Sequence, residues 1–278
     1  MKALVNTPQG KAPVEFRDLP EPVPAPHEAL VAVHAFSLNR GELTLMRIRP
    51  EGWRPGQDIS GVVLQAATDG SGPKAGTRVV GIMDWHGWAE RAAVPTARLA
   101  ALPDQVSFAQ AASLPVAGLT ALRTLRHGAP LLGRRVLITG AAGGVGNLAV
   151  QLAAHSGAQV TAVARGTRGT ALLALGAHDI VDDIAKAPGK YWHILESAGG
   201  ASLKAALGLL EPRGTVVIFG NSSGEETPLS FRDFGSANNS RLQSFHSFAS
   251  GPEEQFAPDL ALLAGLVARG ALKPQIVE

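Results

Sequence analysis

Four glycines fall at positions 140, 143, 144 and 146 in the stretch GAAGGVG. Ala141, Gly143 and Gly146 keep the spacing of the G-x-G-x-x-G dinucleotide fingerprint, with alanine in the first place. A small residue at 141 permits a tight turn. Gly143 lets the backbone approach a pyrophosphate, and Gly146 lets a helix lie close against a strand. The helix N-terminus, at Gly143, Gly144 and Val145, then supplies N–H donors and positive potential to the phosphates. An acidic residue about 20 positions further on would bind the ribose 2′-hydroxyl of NAD(H). The chain instead has Arg165 there, with Arg168 close behind. Guanidinium groups suit a 2′-phosphate and a carboxylate would repel one, so the expected cofactor is NADPH. Gly220 and Asn221 follow a further strand pattern, at the edge where nucleotides lie in such sheets.

Other chemistry is excluded by what is missing. The chain has no cysteine, which removes disulfides, thiolate nucleophiles and Cys-based zinc sites. Its eight histidines form no H-x-x-x-H or H-E-x-x-H pattern. The balance of 25 basic against 23 acidic residues, without a dense cationic block, argues against nucleic acid as a partner. No apolar run approaches about 18 residues, so no membrane span or signal peptide is expected and a cytoplasmic location is the default.

The elements that must position these residues fall into two grammars. A length of 278 residues suits two cores. Residues 1–113 read as a β-rich domain, with strand patterns at 28–36, 61–68 and 77–83 punctuated by proline and glycine. From 114 the pattern alternates. A helix over 113–126 leads to a strand at 134–139, the glycine loop and a helix with Val145, Leu148, Ala149 and Leu152 on one face. Strands at 159–164, 192–197 and 214–220 alternate with helices, one of them over 201–210, which predicts a doubly wound parallel sheet across 114–250. Residues 251–278 read as a closing helix and a short tail. Tyr191 and Trp192, just before a strand, read as packing residues.

The loop also matches T-G-x-x-x-G-x-G of short-chain dehydrogenases, but these need a Tyr and a Lys four apart. The single tyrosine, Tyr191, has Leu195 four residues on. The stretches VHAFSLNRGEL (33–43), RPGQDISGVV (54–63), GWAERAAVPTARLAALPDQVSFAQAASLPVAGLTAL (87–122), VLITGAAGGVGNLAVQLA (136–153), LGAHDIVD (175–182) and GTVVIFGNSSG (214–224) together resemble the medium-chain dehydrogenase/reductase superfamily, in its zinc-independent, quinone oxidoreductase-like branch.

The resemblance covers nearly the whole chain and implies a GroES-like substrate domain followed by a Rossmann domain, in a homodimer. It puts Asn39 where zinc members carry a cysteine ligand and Gln57 where they carry a histidine, so no metal is expected. It further implies that Asn39 faces the nicotinamide and substrate, that Glu42 orders Asn39 or relays a proton, and that Thr120 approaches the nicotinamide. Compared with the resembling family, the segment returning to the first domain is shortened. Without a Lewis acid, alcohol oxidation is disfavoured and the acceptor must be electrophilic already: a quinone or an α,β-unsaturated carbonyl. Two alternatives stay open: an NADPH-binding protein without catalysis, and an enoyl reductase acting on a carrier-bound intermediate.

Overall fold

The computed structural model describes residues 1–235, 237–247 and 255–276, with the side chains of Thr167 and Arg168 outside the described set. Two compact units emerge: Met1–Leu119 with Ser250–Glu278, and Thr120–Ala249. The composition shift seen at 113/114 thus precedes the division in compactness by a few residues.

The first unit opens with an antiparallel pair, β1 (Lys2–Asn6) and β2 (Val14–Asp18). β3 (Glu28–Phe36) leads to helix α1 (Arg40–Ile48), followed by β4 (Asp58–Gln65), β5 (Arg78–Ile82), β6 (Arg91–Pro95) and β7 (Leu99–Ala101). β3 to β7 form one antiparallel sheet in the order β6-β3-β4-β5-β7. Alternation along these strands buries Ala29, Val31, Ile59, Val63, Val79, Val94 and Leu99 in a single core. The short α2 (Phe108–Ala112) starts at Ser107, whose hydroxyl accepts from the Gln110 N–H. Helix α3 (Pro115–Arg126) begins with a proline, which suits a first helical position, and runs across the division.

The second unit carries β8 (Arg135–Ile138), α4 (Gly144–His155), β9 (Gln159–Val163), α5 (Thr167–Thr170), β10 (Asp179–Val181), β11 (Tyr191–Glu196), α6 (Gly200–Gly208), β12 (Leu210–Ile218) and β13 (Arg241–Ser244). The six strands are parallel and ordered β10-β9-β8-β11-β12-β13. That is the doubly wound Rossmann order, with its reversal between β8 and β11. Val136, Leu137 and Ile138 are fully buried, as a strand covered on both faces requires. Between β9 and β10 the chain forms only one helical turn, α5, and a separate 3₁₀ turn at Leu173–Leu175. Gly169 weakens a continuous helix, and left-handed Gly176 ends it.

The last helix, α7 (Phe256–Ala268), belongs to the first unit, where it packs on β5 and β7. Leu260, Leu263, Ala264 and Val267 form its buried face. No helix among the described residues is long and apolar enough to cross a membrane.

Candidate active site

The sequence-predicted residues fall into two constellations, one in each unit. In the second unit they gather at the carboxyl ends of the strands, around the point where strand order reverses. β8 ends at Ile138, and the chain turns through Thr139 and Gly140, whose φ of +59° favours glycine. The Gly143 N–H donates to the Gly140 carbonyl at 2.9 Å, and Gly143 is the N-cap of α4. Gly143 and Gly144 are exposed and Val145 is half-buried. A Cβ on Gly146 would lie 2.4 Å from the Gly140 oxygen and 2.6 Å from the Ala141 Cα. The turn therefore closes onto the helix only because position 146 lacks a side chain, and the unpaired N–H groups of the first helical turn are left pointing outward. This cradle fits the pyrophosphate of a dinucleotide.

The Ala141 N–H donates to the Val163 carbonyl at 3.2 Å, which ties the cradle to the end of β9. Arg165 lies two residues beyond, exposed, with its Nε donating to the Asp182 carbonyl at 3.3 Å. Arg168 is in the single turn α5, and its side chain lies outside the described residues. Gly220 and Asn221 follow β12. The Ser222 and Ser223 N–H groups donate to the carbonyls of Ser197 and Ala198, at 2.9 and 2.8 Å, so the loops after β11 and β12 are zipped together. A Cβ on Gly220 would sit 3.1 Å from the Ser197 oxygen. The exposed Asn221 amide oxygen accepts from the Ser223 hydroxyl at 3.2 Å. Thr120 is buried in α3, and its carbonyl accepts from the Thr124 hydroxyl.

Sequence reasoning missed Glu196. It is fully buried at the end of β11 and accepts from the N–H groups of Ala198 (3.0 Å) and Gly199 (2.9 Å), the Ser202 hydroxyl (2.8 Å) and the Thr139 hydroxyl (3.2 Å). One carboxylate thus shapes the turn after β11 and grips the residue that begins the glycine loop. An acid ending an apolar strand pattern is the only local signal for it.

In the first unit the constellation centres on Asn39, the residue before α1. Its backbone N–H donates to Glu42 Oε2 at 2.8 Å, and its Nδ2 donates to Asp58 Oδ2 at 2.9 Å. Glu42 is buried, and its Oε1 also accepts from the N–H groups of Gly56 and Gln57 at 3.0 and 2.9 Å. Asp58, at the start of β4, is fully buried and was not singled out from sequence. It accepts from the Ser37 hydroxyl at 2.5 Å and the Val116 N–H at 2.9 Å as well.

Burial pushes the Glu42 carboxyl up to about 7, with the nearby Asp58 charge adding to it and the three backbone N–H bonds opposing it. Burial likewise pushes Asp58 up to about 6, against the hydrogen bonds from Ser37, Asn39 and Val116. Glu42 therefore changes its proton near neutral pH beside an amide that a second acid holds in place. Such a group can accept or release a proton during a reaction.

Residues 25–104 match the alcohol dehydrogenase GroES-like domain family, and residues 144–265 match the zinc-binding dehydrogenase family. The quinone oxidoreductase of Pongo abelii is 32% identical, over 93% of this chain and 83% of that protein. The spectinabilin polyketide synthase system protein NorB of Streptomyces orinoci is 35% identical over 90% of this chain, which spans 12% of that protein's length. Among solved structures, the quinone oxidoreductase from Thermus thermophilus, also determined in complex with NADPH, is 31% identical. It has a TM-score of 0.81 and covers 99% of this chain and 90% of its own.

The matched family's description raises the question of zinc. The donor set around Asn39 does not fit it. Asn39 and Gln57 offer amides, the chain has no thiolate, and the Glu42 and Asp58 oxygens are already committed to N–H and O–H donors. No group of three or more metal-binding side chains occurs among the described residues.

Proposed function

The chain belongs to the medium-chain dehydrogenase/reductase superfamily, in its quinone oxidoreductase-like branch, and from that premise we propose that it is an NADPH-dependent reductase of quinones or α,β-unsaturated carbonyl compounds. The observation that carries the cofactor choice is Arg165. It stands exposed just past β9, two residues beyond Val163, whose carbonyl accepts from the Ala141 N–H of the glycine cradle, at the position where an acid would select NAD(H). We assign cofactor contacts to Gly143, Gly144, Val145, Arg165, Arg168, Gly220 and Asn221 in the second unit, to Thr120 in α3, and to Asn39.

When bound, NADPH supplies a hydride to the electrophilic carbon of the acceptor. The protein's own groups do the rest. The α4 N–H groups hold the pyrophosphate, and the Arg165 guanidinium pairs with the 2′-phosphate. The Asn39 amide, fixed by Asp58, orients a carbonyl. Glu42, near neutrality in its proton affinity, holds or releases the proton that balances the reduction. We place the enzyme in the cytoplasm as a homodimer, in keeping with the resemblance.

A second reading, reduction of an enoyl group on a carrier-bound intermediate, is favoured by the similarity to the polyketide synthase system protein. Both are tested by following NADPH oxidation over quinones, enones and enoyl thioesters, the last both free and carrier-bound. Turnover confined to carrier-bound thioesters selects the second reading. No turnover with any of them, despite tight NADPH binding, overturns both. Arg165→Asp is expected to weaken NADPH at least about tenfold with little change for NADH, because an ion pair to phosphate becomes a repulsion. Unchanged NADPH affinity would refute the cofactor assignment.

A further inference from the structure

At the opposite edge of the parallel sheet from the glycine cradle, the second unit has a pocket of about 730 Å³ bordered by Arg134, Trp192, Arg213, Asn239 and Arg241. Three exposed arginines are among its lining residues, and no acidic residue is. The residues reach it from the amino ends of four strands or the turns before them: Arg134 precedes β8, Trp192 is the second residue of β11, Arg213 lies early in β12 and Arg241 begins β13. The four-residue β8 alone puts about 13 Å between this edge and the nucleotide loop.

The backbone is irregular where it delivers Arg213. Tyr191 pairs with Leu210 but His193 pairs with Thr215, so residues 211–214 bulge out of β12 opposite Trp192. Within the bulge Arg213 takes φ +66°, a conformation that favours glycine and that a long side chain opposes. Its N–H donates to the Asn238 carbonyl at 2.8 Å, and Asn239 in the same turn is also left-handed, at φ +58°. Asparagine tolerates that region, so the strained residue bordering the pocket is Arg213, and such residues gather at functional sites. The Arg134 guanidinium lies 4.2 Å from the centre of a Trp192 ring, and the Trp192 Nε1 donates to the Gly128 carbonyl at 2.7 Å. The indole, expected from sequence to pack, is half-buried and fixes an arginine at the pocket's rim.

We propose that this three-arginine pocket is a second binding site, separate from the nucleotide cradle, for a small molecule bearing a diphosphate group. Guanidinium forks match phosphate oxygens in pairs, and the roughly threefold negative charge of a diphosphate at neutral pH equals the charge the three arginines bring. The bulge accounts for an arginine at a position where glycine would be at ease: its side chain is what the position serves.

The test uses the full chain saturated with NADPH and inorganic pyrophosphate as the probe, in calorimetric titrations at low ionic strength. Saturable binding of one pyrophosphate per chain is expected. Arg213→Gly and Arg241→Ala should each weaken it at least about fivefold, and the double variant more than about twentyfold. Arg213→Gly removes the unfavourable side chain from the left-handed position and should fold at least as well as the parent. Acceptor-dependent NADPH oxidation should be unchanged in all three variants. The proposal is overturned by no saturable binding up to about 10 mM, by equal affinity in the double variant, or by competition between NADPH and pyrophosphate. Tighter, arginine-dependent binding of an acidic peptide than of pyrophosphate would overturn it too, because it would make the pocket a protein-docking surface.

Discussion

Replacing Glu42 by glutamine isolates the energetic cost of the buried acid. Its carboxyl lies at about 7 in the folded protein against an ordinary value of 4.5, so the fold favours the protonated form. The stability that Glu42 contributes is fully present below about pH 4.5 and is lost as pH rises through about 7. Ionisation costs the fold about 1.4 kcal/mol at pH 5.5 and about 3 kcal/mol at pH 7.5, a difference of about 2 kcal/mol.

Glutamine carries no such dependence. It also puts an amide nitrogen opposite one of the three N–H donors, an offset of about 1–2 kcal/mol that does not vary with pH. His193 pulls the other way on acidification, because burial lowers it to about 4. It is common to both proteins and cancels in the difference. The assay is urea unfolding between pH 5.5 and 7.5 followed by tryptophan fluorescence. Trp53, Trp85 and Trp88, three of the four tryptophans, lie in the unit that contains Glu42. The stability of Glu42→Gln relative to the parent should rise by about 2 kcal/mol across that range. Parallel stability curves for the two proteins would refute the account of Glu42 as a buried acid titrating near neutrality.

Gly146→Ala brings a Cβ against backbone atoms at 2.4 and 2.6 Å, which cannot rotate away. Fluorescence titration should show NADPH affinity falling at least about tenfold, with a loss of about 1–3 kcal/mol in stability. Wild-type affinity would mean that the loop does not close on the helix as described. Glu196→Gln leaves one of its four donors facing an amide nitrogen, at a cost of about 1–3 kcal/mol. Hydrogen exchange at the Ala198 and Gly199 amides should accelerate and NADPH binding should weaken. Unchanged exchange there would separate Glu196 from the shape of that turn.

The nucleotide-binding half was legible because each of its parts announces itself locally. Apolar runs of strand length, a helical stripe through Val145, Leu148, Ala149 and Leu152, and glycines at the turns repeat in order, and a parallel doubly wound sheet is the arrangement that satisfies them all. Helix α7 was legible as a helix, from Leu260, Leu263, Ala264 and Val267, but its destination was not: an apolar face specifies burial, not the surface that buries it. The bulge at 211–214 was hidden for a related reason. Nothing in the residue types of 211–214 marks the left-handed arginine, which becomes apparent only once the register to β11 is known.

The candidate chemistry divides along the same line. Asn39 and Glu42 came into view through resemblance, whereas Asp58 and Glu196 read as ordinary acids beside strands. What makes Asp58 different arrives from far along the chain: the Val116 N–H, 58 residues on, together with Ser37 from the end of β3. Its presence alters what Asn39 offers. A carboxylate accepts but does not donate, so the Asn39 amide must turn its nitrogen toward Asp58. The amide oxygen faces the Glu42 backbone N–H at the start of α1, so one side-chain N–H remains to meet a ligand, in an orientation set before any ligand arrives. Asparagine at 39 is thus a directed donor rather than a freely flipping amide. The direction comes from Asp58, whose three hydrogen bonds oppose the upward pull of burial on its carboxyl.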